Sequence, residues 1–420
     1  MKTKKKLFSF AGIGLLAVVF ALASCSKTDD GSDVYLNESD REGFAYAMGG
    51  DGDSSGAGGG DNPGEGTDLG NTQAGVVTAG EWCDLTNWDF WSKLMLGEEY
   101  SNMAEYWQLY TNNRVAVKVT DEHGNAMAGV KVKLLREGDG TSTVWETVTD
   151  NHGMAECWLG LLQQSDGKAD RLRVSLNGEM MDGHPAICPM DSLLQSVTVN
   201  EYVCKKSSSV SQQADIAFIV DATGSMSDEI DFLKEDLMDI IRRVESVRPS
   251  MKMRTAALFY RDEGDEYLTR HHDFTINLSQ TVSFVEQQRA EGGGDYPEAV
   301  HTALDRMLQD LSWDSQARTR IAFLVLDAPA HHEDAVIHSL QKSVEQCAKQ
   351  GIRLIPVAAS GVDKNTEFML RFFAVSTGGT YVFITDDSGV GNSHLVASVG
   401  DYKVEQLNNL IIRLIEYYTE

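Results

Sequence analysis

The second half of the chain alternates short apolar runs with segments of helical periodicity. The runs 215–220 and 320–326 are mostly apolar, as expected for central parallel strands that are covered on both faces. Further strands are predicted near 253–260, 274–278, 352 and 380, and helices near 228–247, 282–290, 297–310, 335, 367 and 404–418. This alternation predicts a doubly wound α/β domain with a mostly parallel sheet over residues 214–420.

In the preceding part of the chain, residues 76–205, apolar residues recur at every second position instead. Apolar and polar residues alternate over 115–119 and again over 130–134, with a turn around Gly124 between them, which predicts an antiparallel hairpin. An aromatic segment from Trp82 to Trp107 opens this part, and we expect it to pack the core. The pattern predicts a small all-β domain that is similar to the sandwiches of the carboxypeptidase-regulatory or transthyretin-like type. That resemblance implies a spacer or an interaction module.

The N-terminus has the charge and length of a signal peptide. Lysines precede an apolar run from Leu7 to Leu22 that is too short for a permanent membrane span. The run ends in Leu-Ala-Ser-Cys, with the cysteine at position 25, and this motif resembles the lipobox of bacterial lipoproteins. The resemblance implies removal of residues 1–24, acylation of Cys25 and attachment to the bacterial outer membrane. Ordinary secretory cleavage after small residues is the alternative.

Residues 25–75 are polar and rich in glycine. Such a segment buries too little apolar area to offset its ordering entropy, so we expect a flexible tether. The acidic stretch 26–30 is similar to the signal that directs lipoproteins of the Bacteroides type to the outer face, which implies a position at the cell surface.

Charge and cysteine content restrict the partners and the compartment. The formal net charge of -27 excludes nonspecific nucleic-acid binding, because a polyanion would be repelled. Four cysteines between the tether and the α/β domain allow three disulfide pairings that sequence does not rank: Cys83, Cys157, Cys188 and Cys204. Cys347 falls in a predicted helix, where we expect a small buried side chain.

A motif rich in side-chain oxygen ligands follows the first buried strand. The sequence Asp-Ala-Thr-Gly-Ser at 221–225 resembles the D-x-[ST]-x-S element of the metal-ion-dependent adhesion site in von Willebrand factor A-type domains. The loops at 261–267, 292–300 and 326–331 match that family in order and type, so the resemblance covers residues 214–420. It implies a site at the carboxyl ends of the strands, where doubly wound sheets bind ligands.

The resemblance also implies a ligand set for a divalent cation. The implied metal ligands are Asp221, Thr223, Ser225, Asp295 and Asp327. Asp295 stands where many members of the family have threonine. Residues expected to support the site are Arg261, Asp262 and Glu298. Ligation by oxygen alone favours Mg²⁺, or Mn²⁺ or Ca²⁺, and an open coordination position can accept a carboxylate from a partner.

Three functional interpretations remain open. The leading one is a lipid-anchored envelope protein that is not an enzyme and that binds a protein or extracellular matrix ligand through the metal. In the second, the domain is part of a secreted enzyme or enzyme complex, with His331 or His332 as an acid or base near the metal. In the third, the metal is structural and the domain at 76–205 binds the partner. The sequence contains no nucleophile elbow, phosphate-binding loop or zinc-protease motif, which favours binding over catalysis.

Overall fold

The computed structural model describes residues 73–138, 141–163, 171–190, 197–206 and 210–420. The expected signal peptide, Cys25 and nearly all of the expected tether lie outside the described residues. All described residues belong to one compact unit, Thr67–Glu420. No helix in this described part of the chain is long and apolar enough to cross a membrane.

Strands and helices of the described residues follow one another in this order: β1 (Thr78–Trp82), α1 (Trp88–Met95), α2 (Glu98–Trp107), β2 (Asn113–Thr120), β3 (Lys131–Glu137), β4 (Thr141–Val148), β5 (Met154–Trp158), β6 (Leu172–Leu176), β7 (Glu179–Met180), β8 (Cys188–Pro189), β9 (Val199–Val203), β10 (Ser211–Asp221), α3 (Ile230–Val247), β11 (Lys252–Tyr260), β12 (Thr269–Thr275), α4 (Leu278–Glu286), α5 (Val300–Asp310), β13 (Ala317–Leu326), α6 (Asp334–Gln350), β14 (Ile352–Ala358), α7 (Lys364–Thr377), β15 (Tyr381–Ile384), β16 (Glu405–Gln406) and α8 (Leu407–Thr419). Two short 3-10 helices, Gly224–Asp228 and Asp386–Ser388, follow β10 and β15.

The large sheet has eight strands in the order β12-β11-β10-β13-β14-β15-β1-β16. Strands β11, β10, β13, β14 and β15 run parallel, and β12 pairs antiparallel with β11 at one edge. Neighbouring residues of β10 point to opposite faces: Phe218 belongs to the core shared with α3 and α8, and Ile219 to the core shared with α5, α6 and α7. The predicted α/β class with a mostly parallel sheet is confirmed.

One strand and its neighbouring helix differ from the sequence-based expectation. A strand was expected at 274–278, but β12 ends at Thr275 and Leu278 is already the first residue of α4. The helical assignment lets Leu278 and Val282, four residues apart, pack against the same core.

Strand β1 belongs to the large sheet and not to the preceding domain. It pairs antiparallel with β15, with Ala79 opposite Ile384, and Thr78 pairs with β16. Val77 and Ala79 are fully buried in the core shared with α3 and α8. This segment covers an edge that β15 would otherwise expose.

The remaining strands of the first part form two four-stranded sheets. In one, β5, β8 and β9 all pair with β2, and the other has the order β4-β3-β6-β7. The expected hairpin between 115–119 and 130–134 is not formed, because these segments lie in β2 and β3 of different sheets. Their apolar side chains nevertheless share one core. The predicted buried faces are therefore confirmed, and the predicted pairing of the two strands is wrong.

The aromatic segment forms two helices, so this part of the chain is not all-β. Trp91, Tyr100 and Trp107 are nearly or fully buried. Trp91 stacks on Phe368 of α7 with ring centroids 6.3 Å apart, and the Trp107 indole donates to Asn365 Oδ1 over 2.9 Å. Helices α1 and α2 therefore pack against the α/β part and make the two parts one unit.

A buried cation joins the same two parts. The fully buried Arg371 of α7 donates two hydrogen bonds to Asp84, of 2.6 and 2.9 Å, and a third to the Tyr100 hydroxyl at 3.2 Å. Glu367, one turn earlier in α7, lies 3.6 Å from the guanidinium. We call Asp84, Tyr100, Glu367 and Arg371 the Arg371 cluster. Each of its carboxylates has an arginine within ion-pair distance.

All cysteines of the described residues are free thiols: Cys83, Cys157, Cys188, Cys204 and Cys347. Burial raises the pKa of Cys157 and Cys347, which keeps both as unreactive thiols. Cys347 packs in the core of α6, as expected from the sequence.

Candidate functional site

The carboxyl edge of the large sheet brings four of the five predicted metal ligands together: Asp221, Thr223, Ser225 and Asp327. Strand β10 ends at Asp221, and Asp327 directly follows β13, its parallel neighbour. Glu298, just before α5, reaches the same edge because its N–H donates to the Pro329 carbonyl over 2.8 Å. Parallel strands thus place side chains distant in sequence around one point.

The loop after β10 is ordered by its own side chains. The backbone N–H and the hydroxyl of Thr223 donate to Asp221 Oδ1 over 2.9 and 2.7 Å, and the Ser225 hydroxyl lies 3.1 Å from that of Thr223. Gly224 donates to the Gly292 carbonyl over 3.0 Å, and a Cβ at Gly224 would lie 2.7 Å from the same oxygen. A glycine at this position therefore lets the loop after β10 touch the loop that leads to α5, residues 291–299, which we call the second loop.

Five side chains form what we call the oxygen cluster: Asp221, Thr223, Ser225, Glu298 and Asp327. Asp221 and Thr223 are fully buried, and Glu298 and Asp327 are 2% and 4% exposed. Ser225 is exposed, so the cluster opens to solvent on one side. One buried oxygen of each carboxyl group, Asp221 Oδ2, Glu298 Oε2 and Asp327 Oδ1, has no hydrogen-bond partner.

The carboxyl groups of the oxygen cluster titrate abnormally. Burial raises the pKa of Asp221, Asp327 and Glu298. Repulsion from neighbouring carboxylates raises it further: from Asp262 at Asp221, from Asp221 at Asp327, and from Asp221, Asp262 and Asp327 at Glu298. The pKa of Glu298 reaches about 9. Unpaired buried carboxylates are unfavourable unless they are protonated or a cation compensates them, so this donor set fits a divalent cation.

The structure places the two candidate second-loop acids differently. Asp295, expected as a ligand, is exposed. Its negative charge raises the pKa of His331. Glu298, expected only as a supporting residue, is the acid whose pKa responds to Asp221 and Asp327. The geometry therefore brings Glu298, and not Asp295, into the oxygen cluster.

Arg261 and Asp262 have separate partners. The buried Arg261 donates to the Arg289 carbonyl over 2.9 Å and forms an ion pair of 3.5 Å with Glu291, which holds the second loop. Asp262 lies 2.8 Å from His331 Nε2. Burial lowers the pKa of His331, but its hydrogen bond to Asp262 and the nearby negative charges outweigh burial and raise it.

Helix α2 also reaches this edge of the molecule. The ring of Tyr106 stacks on that of His332 with centroids 3.4 Å apart, and His332 Nε2 donates to the Tyr106 carbonyl over 2.7 Å. Nothing in the sequence pairs these two distant residues, so this contact could not be predicted. Both candidate acid–base histidines are thus engaged by neighbouring groups.

The oxygen cluster has a mixed composition. Among residues 73–420 that the structure describes, no group of three or more His, Cys, Asp or Glu side chains is arranged to hold a metal ion. The predicted ligands instead combine the carboxylates of Asp221 and Asp327 with the hydroxyls of Thr223 and Ser225. Oxygen donors of this kind suit Mg²⁺, Mn²⁺ or Ca²⁺ better than zinc.

Comparison with known families identifies the α/β part. Residues 215–367 match the profile of the von Willebrand factor A domain. This match confirms, over these residues, the resemblance predicted from the loops. Such domains commonly mediate interactions between proteins.

Two curated proteins each match part of the chain. The putative ariadne-like RING finger protein R811 of Acanthamoeba polyphaga mimivirus is 32% identical over 119 residues, which is 28% of this chain and 11% of the relative. The alpha-protein kinase vwkA of Dictyostelium discoideum is 24% identical over 206 residues, which is 49% of this chain and 32% of the relative. The chain thus spans a third or less of the length of these relatives.

Two solved structures of low sequence identity also match part of the chain. The conserved hypothetical protein BatB from Bacteroides thetaiotaomicron is 12% identical, and the match covers 49% of this chain and 98% of BatB with a TM-score of 0.34. Proximal thread matrix protein 1 from the mussel byssus is 13% identical, and the match covers 49% of this chain and 46% of that protein with a TM-score of 0.35.

Proposed function

We propose that this protein binds a divalent cation in the oxygen cluster and uses it to hold a carboxylate of a partner protein. The observation that carries the proposal is the set of three buried carboxyl oxygens without a hydrogen-bond partner, on Asp221, Glu298 and Asp327. Together with raised pKa values, these oxygens indicate a deficit of positive charge that a cation would remove.

In this proposal Asp221 and Asp327 supply carboxylate ligands, and Thr223 and Ser225 supply hydroxyl ligands. The cation is Mg²⁺, or Mn²⁺ or Ca²⁺, and supplies a positive charge with a coordination position open to solvent. The exposed side of Ser225 gives a partner access. Glu298 supports the site as a neighbouring acid.

A binding role is favoured over catalysis by the family match and by the absence of catalytic motifs in the sequence. Residues 215–367 match the von Willebrand factor A domain, a type that commonly mediates interactions between proteins, and the sequence contains no nucleophile elbow, phosphate-binding loop or zinc-protease motif. We also propose that Cys25 carries the lipid that anchors the protein in the outer membrane, with the ligand on another envelope or matrix protein. The support is the resemblance of residues 22–25 to a lipobox.

Calorimetry on protein stripped with EDTA tests the cation site directly. Titration with Mg²⁺, Mn²⁺ or Ca²⁺ should give one site per chain, and Asp327→Asn should abolish the heat while keeping the shape of the side chain. Asp334→Asn is the matched control, because this exposed residue lies in the first turn of α6 outside the oxygen cluster. Equal affinities for wild type and Asp327→Asn would refute the site.

The partner is tested by capture from envelope extract with the immobilised protein. Capture in Mg²⁺ that is lost in EDTA, and also lost with Asp327→Asn in Mg²⁺, would support binding through the cation. Capture that persists in EDTA would show that another surface binds the partner and would contradict this part of the proposal.

A further inference from the structure

A histidine lies between three acids on the connection from β15 to α8. Asp386 Oδ1 accepts from the His394 backbone N–H over 2.9 Å and lies 2.8 Å from Nδ1 of the ring. The other ring nitrogen, Nε2, is 3.4 Å from Glu229 Oε2. The His394 side chain is nearly buried, so its ring connects the residues after β15 to the start of α3.

Glu229 is a buried carboxylate that the His394 ring can compensate. It is fully buried directly before α3, and its Oε1 accepts from the backbone N–H and the hydroxyl of Ser360, at 2.8 and 3.2 Å. Its Oε2 has no hydrogen-bond partner, and the cation that the structure places within ion-pair distance is His394. A Cβ at Gly391 would lie 2.7 Å from Oε2, so the backbone also closes over this carboxylate.

A second contact joins the same two elements. The backbone N–H of Asn392 donates to Asp228 Oδ2 over 2.7 Å, and Asp228 immediately precedes Glu229. We call residues 386–394 the latch segment. The groups that face the His394 ring are Asp386 of the latch segment and Glu229 at the start of α3, with Asp228 and the uncharged Ser360 beside Glu229.

We propose that His394 is a pH-sensitive latch, which holds the latch segment onto the start of α3 when the ring is protonated and releases it when the ring is neutral. The protonated ring can donate to Asp386 and compensate Glu229 at the same time. The neutral ring carries one N–H, so it can serve only one of the two acids and leaves Glu229 as an uncompensated buried charge.

The titration of His394 favours this behaviour. Burial lowers the pKa of His394, but the hydrogen bonds and charges of Glu229 and Asp386 outweigh burial and raise it above the ordinary value. A raised pKa means that the latch stabilises the fold fully below the unfolded value of about 6.5. That stabilisation is lost as the pH rises through the pKa of the folded protein.

The latch lies beside the oxygen cluster but does not depend on a cation there. The charge of Glu229 acts on Asp327, so release would change the electrostatics and the shape of the proposed docking edge. The test is performed in EDTA, and protection of the latch segment is expressed relative to that of β13 in the same sample, which reports any loss of overall stability caused by the oxygen cluster. Its outcome is therefore separate from that of the proposed cation site.

Hydrogen exchange of the full chain in EDTA, corrected for the intrinsic pH dependence of exchange, measures opening of the latch segment. Protection of residues 386–394 should fall at least about threefold between pH 6 and pH 8.5, because release becomes favourable as the ring loses its proton. In His394→Gln the protection should be lower than in wild type at pH 6 and should not change with pH. His271→Gln, an exposed histidine on β12, should behave as wild type.

Proton NMR titration of the His394 ring gives an independent readout. The ring should titrate above the ordinary histidine value in wild type and closer to that value in Asp386→Asn, which removes one charge without enlarging the side chain. Wild-type protection that stays constant from pH 6 to pH 8.5, or a fall that persists in His394→Gln, would overturn the proposal.

Discussion

The Arg371 cluster and the oxygen cluster both bury carboxylates against the same sheet, but only the first contains its own cation. Asp84 and Glu367 have Arg371 at 2.6 and 3.6 Å. In the oxygen cluster, Asp221, Glu298 and Asp327 face one another, and each has an oxygen without a hydrogen-bond partner. The first arrangement is complete, and the second lacks a positive charge.

This difference in charge distinguishes a structural cluster from a proposed binding site more clearly than burial does. Burial lowers the pKa of Arg371, but the charges of Asp84, Tyr100 and Glu367 raise it more strongly, so this arginine stays charged at every relevant pH. At the oxygen cluster the carboxyl groups repel one another instead and their pKa values rise. Removal of a charged side chain should therefore lower the free energy of unfolding at the Arg371 cluster, and it should not lower it at the oxygen cluster in the absence of metal.

The largest expected effect is the loss of the internal cation. Arg371→Met leaves Asp84 and Glu367 buried without compensation and should lower the free energy of unfolding by about 3–5 kcal/mol. Urea denaturation of the full chain measures this change. Arg413→Met is the control, because its ion pair with Glu81 is partly exposed and should contribute no more than about 1 kcal/mol. Equal effects of the two variants would contradict the assigned role of Arg371.

A smaller effect is expected from pH and metal removal. The carboxyl groups of the oxygen cluster have folded-state pKa values above their unfolded values. The folded protein therefore prefers the protonated forms, and stability without metal should fall as the pH rises from about 5 to about 9. Saturating Mg²⁺ should restore about 2.7 kcal/mol at a hundred times its dissociation constant, with a larger rise in melting temperature at pH 8.5 than at pH 6.

Thermal denaturation with Mg²⁺ and with EDTA at both pH values checks this expectation. In Asp327→Asn the protein without metal should be at least as stable as wild type at pH 8.5, because one uncompensated charge is gone. A loss of stability in Asp327→Asn that matches that of Arg371→Met would remove the distinction between the two clusters.

The smallest effect should distinguish the two second-loop acids. Glu298→Gln changes a group inside the oxygen cluster and should alter Mg²⁺ affinity by about tenfold, as for other groups that support metal ligands. Asp295→Asn changes an exposed side chain and should alter that affinity by less than about twofold. Calorimetry compares the two variants, and a larger effect at Asp295 would restore the ligand role that sequence assigned to it.

Sequence predicted the parts of the fold that local pattern determines. The apolar runs of β10 and β13 identified the central strands, and the position of Asp221 and Asp327 at their ends identified the edge that carries the proposed site. These predictions hold because a parallel strand covered on both faces has few polar positions.

Features that depend on distant partners could not be predicted. The motif places Asp295 and Glu298 three residues apart, and only the turn before α5 determines which side chain is buried. The alternation of apolar and polar residues in β2 and β3 predicted that both strands contribute to one core, but not that they lie in different sheets. Such alternation determines which face of a strand is buried, and it does not determine which strand pairs with it. The Arg371 contact to Asp84 spans 287 positions and has no local signal.

The insertion of β1 has a mechanical consequence. Four residue pairs join β1 to β15, and only β14 and β15 separate β1 from β13, which leads to Asp327. A pull on the chain ahead of Thr78 therefore loads the sheet directly, without passing through the two smaller sheets. Tension between the proposed anchor and the proposed partner would run across hydrogen-bonded strands, and the buried Val77 and Ala79 resist peeling of β1 from its edge.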